Sequence, residues 1–190
     1  MKILILSGSA RRESFNAKLA ELAVAHALGR GVEVDYATGA QLRELPMFDQ
    51  DQEAKEGMPG VAKALKHRFQ NADAVVLACP EYNSSVTPLL KNALDWVSRP
   101  EAEDEPDLIA YKGKVAGLLS ASPGRLGGLR GLVHVRSILG NIGVLVVPTQ
   151  LAVPQAMDAF DDEGKLKDAK QAKSLTKVVD EVIRVATSLA

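Results

Sequence analysis

The sequence contains one cysteine, Cys79, in 190 residues. An intrachain disulfide is therefore excluded, and nothing points to an oxidising compartment. Histidine is almost as scarce. His26, His67 and His134 share no metal-ligand spacing with one another or with Cys79, so no metal centre is expected. Each histidine reads as a surface or satisfied helix residue. Cys79 reads as a buried strand end whose nearness to a functional loop leaves redox sensitivity open. An excess of charge is missing too: Lys plus Arg number 23, Asp plus Glu 24, and the formal net charge is −1. That balance offers neither a broad basic face for nucleic acid nor a strongly acidic docking surface.

No apolar run approaches the ~18 residues needed to cross a bilayer. Ile3–Leu6 is too short for a signal-peptide core, and no cleavage-like segment follows it. A cytoplasmic protein with no membrane partner is expected. The triple-glycine fingerprint of dinucleotide sites is absent, since the loop after Leu6 carries only Gly8. No G-x-x-x-x-G-K-[ST] phosphate loop occurs either. Internal repeats and low-complexity segments are also lacking.

What is present is an ordinary globular composition, 46% hydrophobic and 25% charged. A chain of this size buries about 70% of its unfolded surface without a disulfide or metal staple. It is read as one domain, residues 1–190. Short apolar runs alternate with helical patterns. Ile3–Leu6 and Ala74–Ala78 suit strands buried on both faces, while Val32–Tyr36 alternates like an edge strand. Val115–Leu119 and Val144–Val147 supply a fourth and fifth strand. Helical faces fall at Leu19, Leu22, Ala23 and His26, at Val61, Leu65 and Phe69, and at Leu89, Leu90, Ala93, Leu94 and Val97. Two more fall at Leu132, Val135, Leu139 and Ile142, and in a final helix from about Ala169. Glu101–Asp107 reads as an acidic surface loop. Five strands alternating with five helices imply an α/β fold: a doubly wound five-stranded parallel sheet, order 2-1-3-4-5, with helices on both faces. Ligands of such sheets lie beyond the strand C-termini, where the order reverses. Three loops meet there, after Leu6, after Cys79 and after Leu119.

The first loop, Ser7–Asn16, joins a central strand to a helix start. Ser9 and Ser14 offer hydroxyls, Asn16 an amide, and the helix start unpaired N–H groups, a setting that favours phosphate. Arg11 adds a charge-assisted contact. Taken alone, the loop equally suits an ordinary Ser-capped helix with surface arginines. In the second loop, Pro80-Glu81-Tyr82-Asn83, Tyr82 offers a flat face and Asn83 amide groups to a planar heterocycle; the plain alternative is a strand-to-helix turn with Pro88 near the helix start. Leu94 and Trp96 read as core.

Together these loops resemble the NADPH-dependent FMN reductase family, a flavodoxin-like group of quinone, chromate and azo-dye reductases. The family's G-S-x-R-x-x-S-x-N is matched by Gly8, Ser9, Arg11, Ser14 and Asn16. Its P-E-Y-N is matched by Pro80–Asn83, and its L-K-N-A-x-D-W by Leu90–Trp96. Thr87-Pro88 departs from the Pro-Gly of many members. The resemblance implies that Ser9, Arg11, Ser14 and Asn16, with Phe15 beside them, hold the FMN phosphate. It implies that Pro80, Glu81, Tyr82 and Asn83 hold the isoalloxazine. The third loop, Ser120–Gly128, looks like the family's S-x-G…G-G loop, so Ser122 and Gly124 are expected on the flavin's other side, with the glycines admitting backbone to the ring.

The resemblance implies hydride transfer from NADPH or NADH to bound FMN, then reduction of a small acceptor in a ping-pong sequence. That acceptor would be a quinone, free flavin, chromate or azo compound. No catalytic side chain is required, because the cofactor carries the chemistry. A homodimer or homotetramer is implied as well, with Leu89–Arg99 and Pro100–Asp107 as contact surfaces. Two other readings remain open at this point. One is a flavodoxin-like electron carrier, or a flavin-bound interaction protein, without direct NAD(P)H turnover, although the near-neutral charge argues against a carrier. The other is a hydrolase, because Ser120–Gly124 nearly matches a nucleophile elbow; it would need His134 as partner.

Overall fold

The computed structural model describes residues 1–189. Its elements run β1 (Lys2–Ser7), α1 (Phe15–Gly29), β2 (Glu33–Ala37), α2 (Gly39–Leu42), α3 (Gln50–Glu56), α4 (Gly60–Gln70) and β3 (Ala74–Ala78). There follow β4 (Glu81–Tyr82), β5 (Ser85–Val86), α5 (Pro88–Val97), β6 (Val115–Ala121), α6 (Leu129–Asn141), β7 (Leu145–Val153), α7 (Ala156–Ala159) and α8 (Ala169–Leu189). The main sheet is parallel throughout, in the order β2-β1-β3-β6-β7. This is the expected 2-1-3-4-5 arrangement of a flavodoxin-like fold.

Strand periodicity explains the two cores. Alternate residues of β1 point to opposite faces. Ile3 and Ile5 enter a layer with Leu19 and Ala23 of α1 and Val178 and Val182 of α8. Leu4 and Leu6 enter the other layer, with Leu65 of α4, Leu90 and Trp96 of α5 and Leu132 of α6. Because β1 and β3 are covered on both sides, their uninterrupted apolar runs are required by burial rather than by propensity alone.

The structure adds elements that periodicity does not reveal. The stretch between β2 and α4 holds α2 and α3, each defined by its cap. Thr38 and Gln41 form a reciprocal capping box, and the Asp49 carboxylate accepts from the N–H groups of Asp51 and Gln52. The second loop is no plain turn: β4 and β5 form a hairpin around Asn83 and Ser84, whose φ angles are 48° and 67°. Two adjacent left-handed residues match the twist of a two-residue hairpin. β7 is longer than the expected Val144–Val147. It passes Pro148 at a register shift against β6, which an edge strand tolerates.

The Leu90–Trp96 motif is a clamp. Asn92 Nδ2 and Trp96 Nε1 both donate to Pro46 O, at 2.9 and 2.7 Å, and Asn92 Oδ1 accepts from the Phe48 N–H at 2.8 Å. Leu94 and Trp96 are core, as expected. The acidic Glu101–Asp107 loop is only partly a solvated surface. Glu101 and Glu105 turn inward to the ammonium of Lys66, which is 1% exposed and also donates to Arg99 O at 2.8 Å. Cys79 is buried, its thiol donates to Leu77 O, and burial pushes its pKa well up. A thiol so placed holds its proton, which argues against redox sensitivity.

Gly39 sets how closely the β2–α2 turn meets the first loop. A Cβ there would lie 1.9 Å from Ser9 O, against backbone that cannot swing aside. Gly39→Val should therefore destabilise the protein by about 2 kcal/mol or more, the upper range of overpacking penalties. Urea unfolding measures this; an unchanged midpoint would show that the turn is not packed as described.

Candidate active site

At the C-terminal edge of the sheet, Ser14 caps α1. Its Oγ accepts from the Ala17 N–H at 3.2 Å, and its carbonyl accepts from the Lys18 N–H at 3.1 Å. Phe15 and Asn16, the first residues of α1, have no acceptor within the helix for their N–H groups. The guanidinium of Arg11 lies 4.8 Å above the Phe15 ring. Neighbouring backbone braces the loop: Gly8 N–H donates to Ala78 O at 2.9 Å, and Arg43 donates to Ala10 O at 2.9 Å. Gly8 is required by close approach to Pro80, whose Cδ would lie 2.9 Å from an added Cβ.

Asn16 has work beyond the sequence-based expectation. Its Nδ2 donates to Ala121 O at 2.9 Å and its Oδ1 accepts from Ala121 N–H at 3.0 Å. The amide is thus committed to the end of β6, with one N–H hydrogen left over.

In the second loop, the Glu81 carboxylate accepts from Gly131 N–H at 2.7 Å, at the start of α6, and lies 3.7 Å from Arg130. A carboxylate there meets the positive end of the helix. Tyr82 stands at the rim, 59% exposed. Thr87 caps α5 and donates to Gly8 O at 3.4 Å, so the departure from the family's Pro-Gly fastens the first two loops together.

The third loop is fastened in turn. Ser120 donates to Cys79 O at 2.7 Å. Two of the loop's glycines, Gly127 and Gly128, pack tightly against the protein. An added Cβ on Gly128, at φ 90°, would lie 1.9 Å from Ser120 Oγ, and one on Gly127 would lie 2.5 Å from Val153. Ser122 Oγ accepts from Gly124 N–H at 3.3 Å. His134 Nδ1 is 2.8 Å from Ser85 Oγ, so the histidine a hydrolase would need is paired on the hairpin.

These loops enclose an open cleft of about 190 Å³. The first loop lines it with Ser9, Arg11, Ser14, Phe15 and Asn16, the second with Pro80, Glu81 and Tyr82, the third with Ala121, Ser122 and Pro123. Asn83, at the hairpin tip, and Gly124 do not line it. Ala121 and Pro123 were missed by sequence reasoning, which weighs side-chain chemistry and passes over residues that contribute walls. Among the described residues of the lining, Glu81 is the one acid, and it is already engaged. The cleft therefore presents a guanidinium, hydroxyls and helix-start N–H groups with no competing carboxylate, a donor set that fits a phosphate. A larger cavity, about 880 Å³, lies between α3 and the loop after α5, and none of the three loops lines it.

The family profile of NADPH-dependent FMN reductases matches residues 1–158. An NAD(P)H-dependent FMN reductase of Pseudomonas aeruginosa is 33% identical over 171 residues, covering 90% of this chain and 86% of that protein. A quinone reductase of Escherichia coli K12 is 34% identical over 149 residues, covering 77% and 73%. Among solved structures, the flavoenzyme NAD(P)H:(acceptor) oxidoreductase FerB of Paracoccus denitrificans superposes with a TM-score of 0.81 at 28% identity, covering 98% of this chain and 97% of that one. On these matches, the chain belongs to the NADPH-dependent FMN reductase family.

Proposed function

We propose that the chain, as a single flavin domain of residues 1–190 resident in the cytoplasm, is an FMN-dependent oxidoreductase that takes hydride from NADPH or NADH and reduces a small acceptor such as a quinone. The observation that carries this reading is the convergence of Arg11, Ser9, Ser14 and the first N–H groups of α1 on one cleft with no free carboxylate. FMN, when bound, supplies the two-electron chemistry. The protein's own groups bind and orient. Arg11 and the helix start hold the phosphate by charge and by aligned N–H groups. Tyr82 and Pro80 offer apolar surface to the ring, and Ser122 a hydroxyl on the facing wall. The open mouth admits nicotinamide and acceptor in turn, which supports alternating use of one site.

Homologues named as quinone reductases support a quinone as acceptor. The protein is further proposed to assemble as a homodimer or homotetramer through α5 and the loop after it. Light scattering at micromolar concentration checks this; a monomeric mass would remove it.

Two further outcomes test the reading. Arg11→Ala should weaken FMN binding by about 1.5–3 kcal/mol, the size of a charge-assisted hydrogen bond, and leave folding intact. Flavin-fluorescence titration measures the loss, and unchanged affinity would place the phosphate elsewhere. NADPH added anaerobically to the FMN-loaded protein should bleach the flavin absorbance within about a minute, as expected for turnover at common enzyme rates, and a soluble quinone should restore it. A flavin that stays oxidised would leave the electron-carrier reading.

A further inference from the structure

The chain beyond β7 returns to the cleft. Gln155 N–H donates to Gly124 O at 3.3 Å and Ala156 N–H to Ser122 O at 3.1 Å, which moors the third loop. After α7 the chain folds back on itself. Lys167 N–H donates to Ala159 O at 3.0 Å and Asp161 N–H to Lys165 O at 2.9 Å. The Asp161 carboxylate closes the turn by accepting from the N–H groups of Glu163 and Lys165, at 3.0 and 2.8 Å. This turn presents the buried Phe160 to the first loop.

The Phe160 and Phe15 rings stack with centroids 6.0 Å apart and planes 6° apart. Phe15 carries the Arg11 guanidinium at 4.8 Å, and Lys18 Nζ lies 5.6 Å from the Phe160 ring. Arg11, Phe15, Phe160 and Lys18 thus form a run of cation, ring, ring, cation. Phe160 lies past residue 158, where the family match ends. An exposed arginine ordinarily loses several rotors when it grips an anion. An aromatic face under the guanidinium confines it beforehand, and a second ring stacked on the first fixes that face in turn.

We propose that Phe160 is a positioning residue for the anion grip: it fixes the Phe15 ring, that ring holds Arg11 at the cleft, and the protein thereby selects a phosphorylated flavin over an unphosphorylated one. This rests on the reading that the first loop holds the FMN phosphate. A residue outside the family profile would then set part of the cofactor specificity.

The test is the ratio of riboflavin to FMN dissociation constants, read by flavin-fluorescence titration for the wild type, Phe160→Leu, Phe160→Tyr and Arg11→Ala. The wild type should favour FMN strongly. Phe160→Leu should narrow that ratio by about five- to tenfold, because losing the ring that stacks on Phe15 loosens that ring and frees the Arg11 side chain it carries. The change should lie in FMN affinity alone, and Phe160→Tyr, which keeps the ring, should restore it. Circular dichroism confirms that each variant is folded, and Phe160→Met replaces the leucine variant if that one is not. Equal weakening of both flavins would reduce Phe160 to a structural role and overturn the proposal. So would a wild-type ratio in Phe160→Leu alongside a collapsed ratio in Arg11→Ala, which leaves the phosphate reading intact. A wild type that binds both flavins equally would remove the phosphate reading and the proposal with it.

Discussion

Asn16 and Ala121 exchange two hydrogen bonds across the C-terminal edge of the sheet, 105 residues apart in sequence. This pair joins the start of α1 to the end of β6 and so fixes the width of the cleft between the first and third loops. Both partners are buried or nearly so. Removing either would strand polar groups in a place water does not reach, a penalty larger than the net value of the bonds themselves. The switch of strand order opens a crevice at this edge; the Asn16–Ala121 pair gives the crevice one shape.

Around that pair, polar groups divide into those that hold the loops and those left free. Glu81, Ser120 and Thr87 are spent on Gly131, Cys79 and Gly8. Arg11 and the first N–H groups of α1 remain at the cleft, with the O–H donors of Ser9 and Ser14, whose oxygens already accept from the Arg11 and Ala17 N–H groups. The division has an electrostatic consequence. The one carboxylate in the lining accepts from a helix start and lies beside Arg130, which leaves no uncommitted acid in the lining to compete for Arg11. A rigid frame with a few uncommitted donors suits a site whose chemistry is supplied by the bound group rather than by side chains.

The sheet order, the two-sided cover and the location of the cleft were legible in the sequence because burial dictates them. Ile3–Leu6 and Ala74–Ala78 could not be edge strands, and Val32–Tyr36 could not be central. The first loop's place in the cleft was legible because its residues carry polar functional groups of their own. The hairpin at Asn83 and Ser84, the caps of α2 and α3, and the passage of β7 beyond Pro148 were not, since one or two turns of backbone leave no periodic trace. The duties of Gly39, Gly128 and Phe160 were also hidden. Each depends on what a distant segment places beside it: Ser9, Ser120 and Phe15. A motif match shows that Asn16 matters, and only the fold shows that its amide faces Ala121.

The central claim is that the phosphate of the flavin sits at the start of α1, under Arg11. A crystal structure of the FMN-loaded protein tests this most directly. The account predicts phosphate oxygens within hydrogen-bonding distance of the Arg11 guanidinium and of the Phe15 or Asn16 N–H groups, with the Phe15 and Phe160 rings still stacked. A phosphate bound instead at Arg125 or Arg130, with the α1 start open to water, would contradict it.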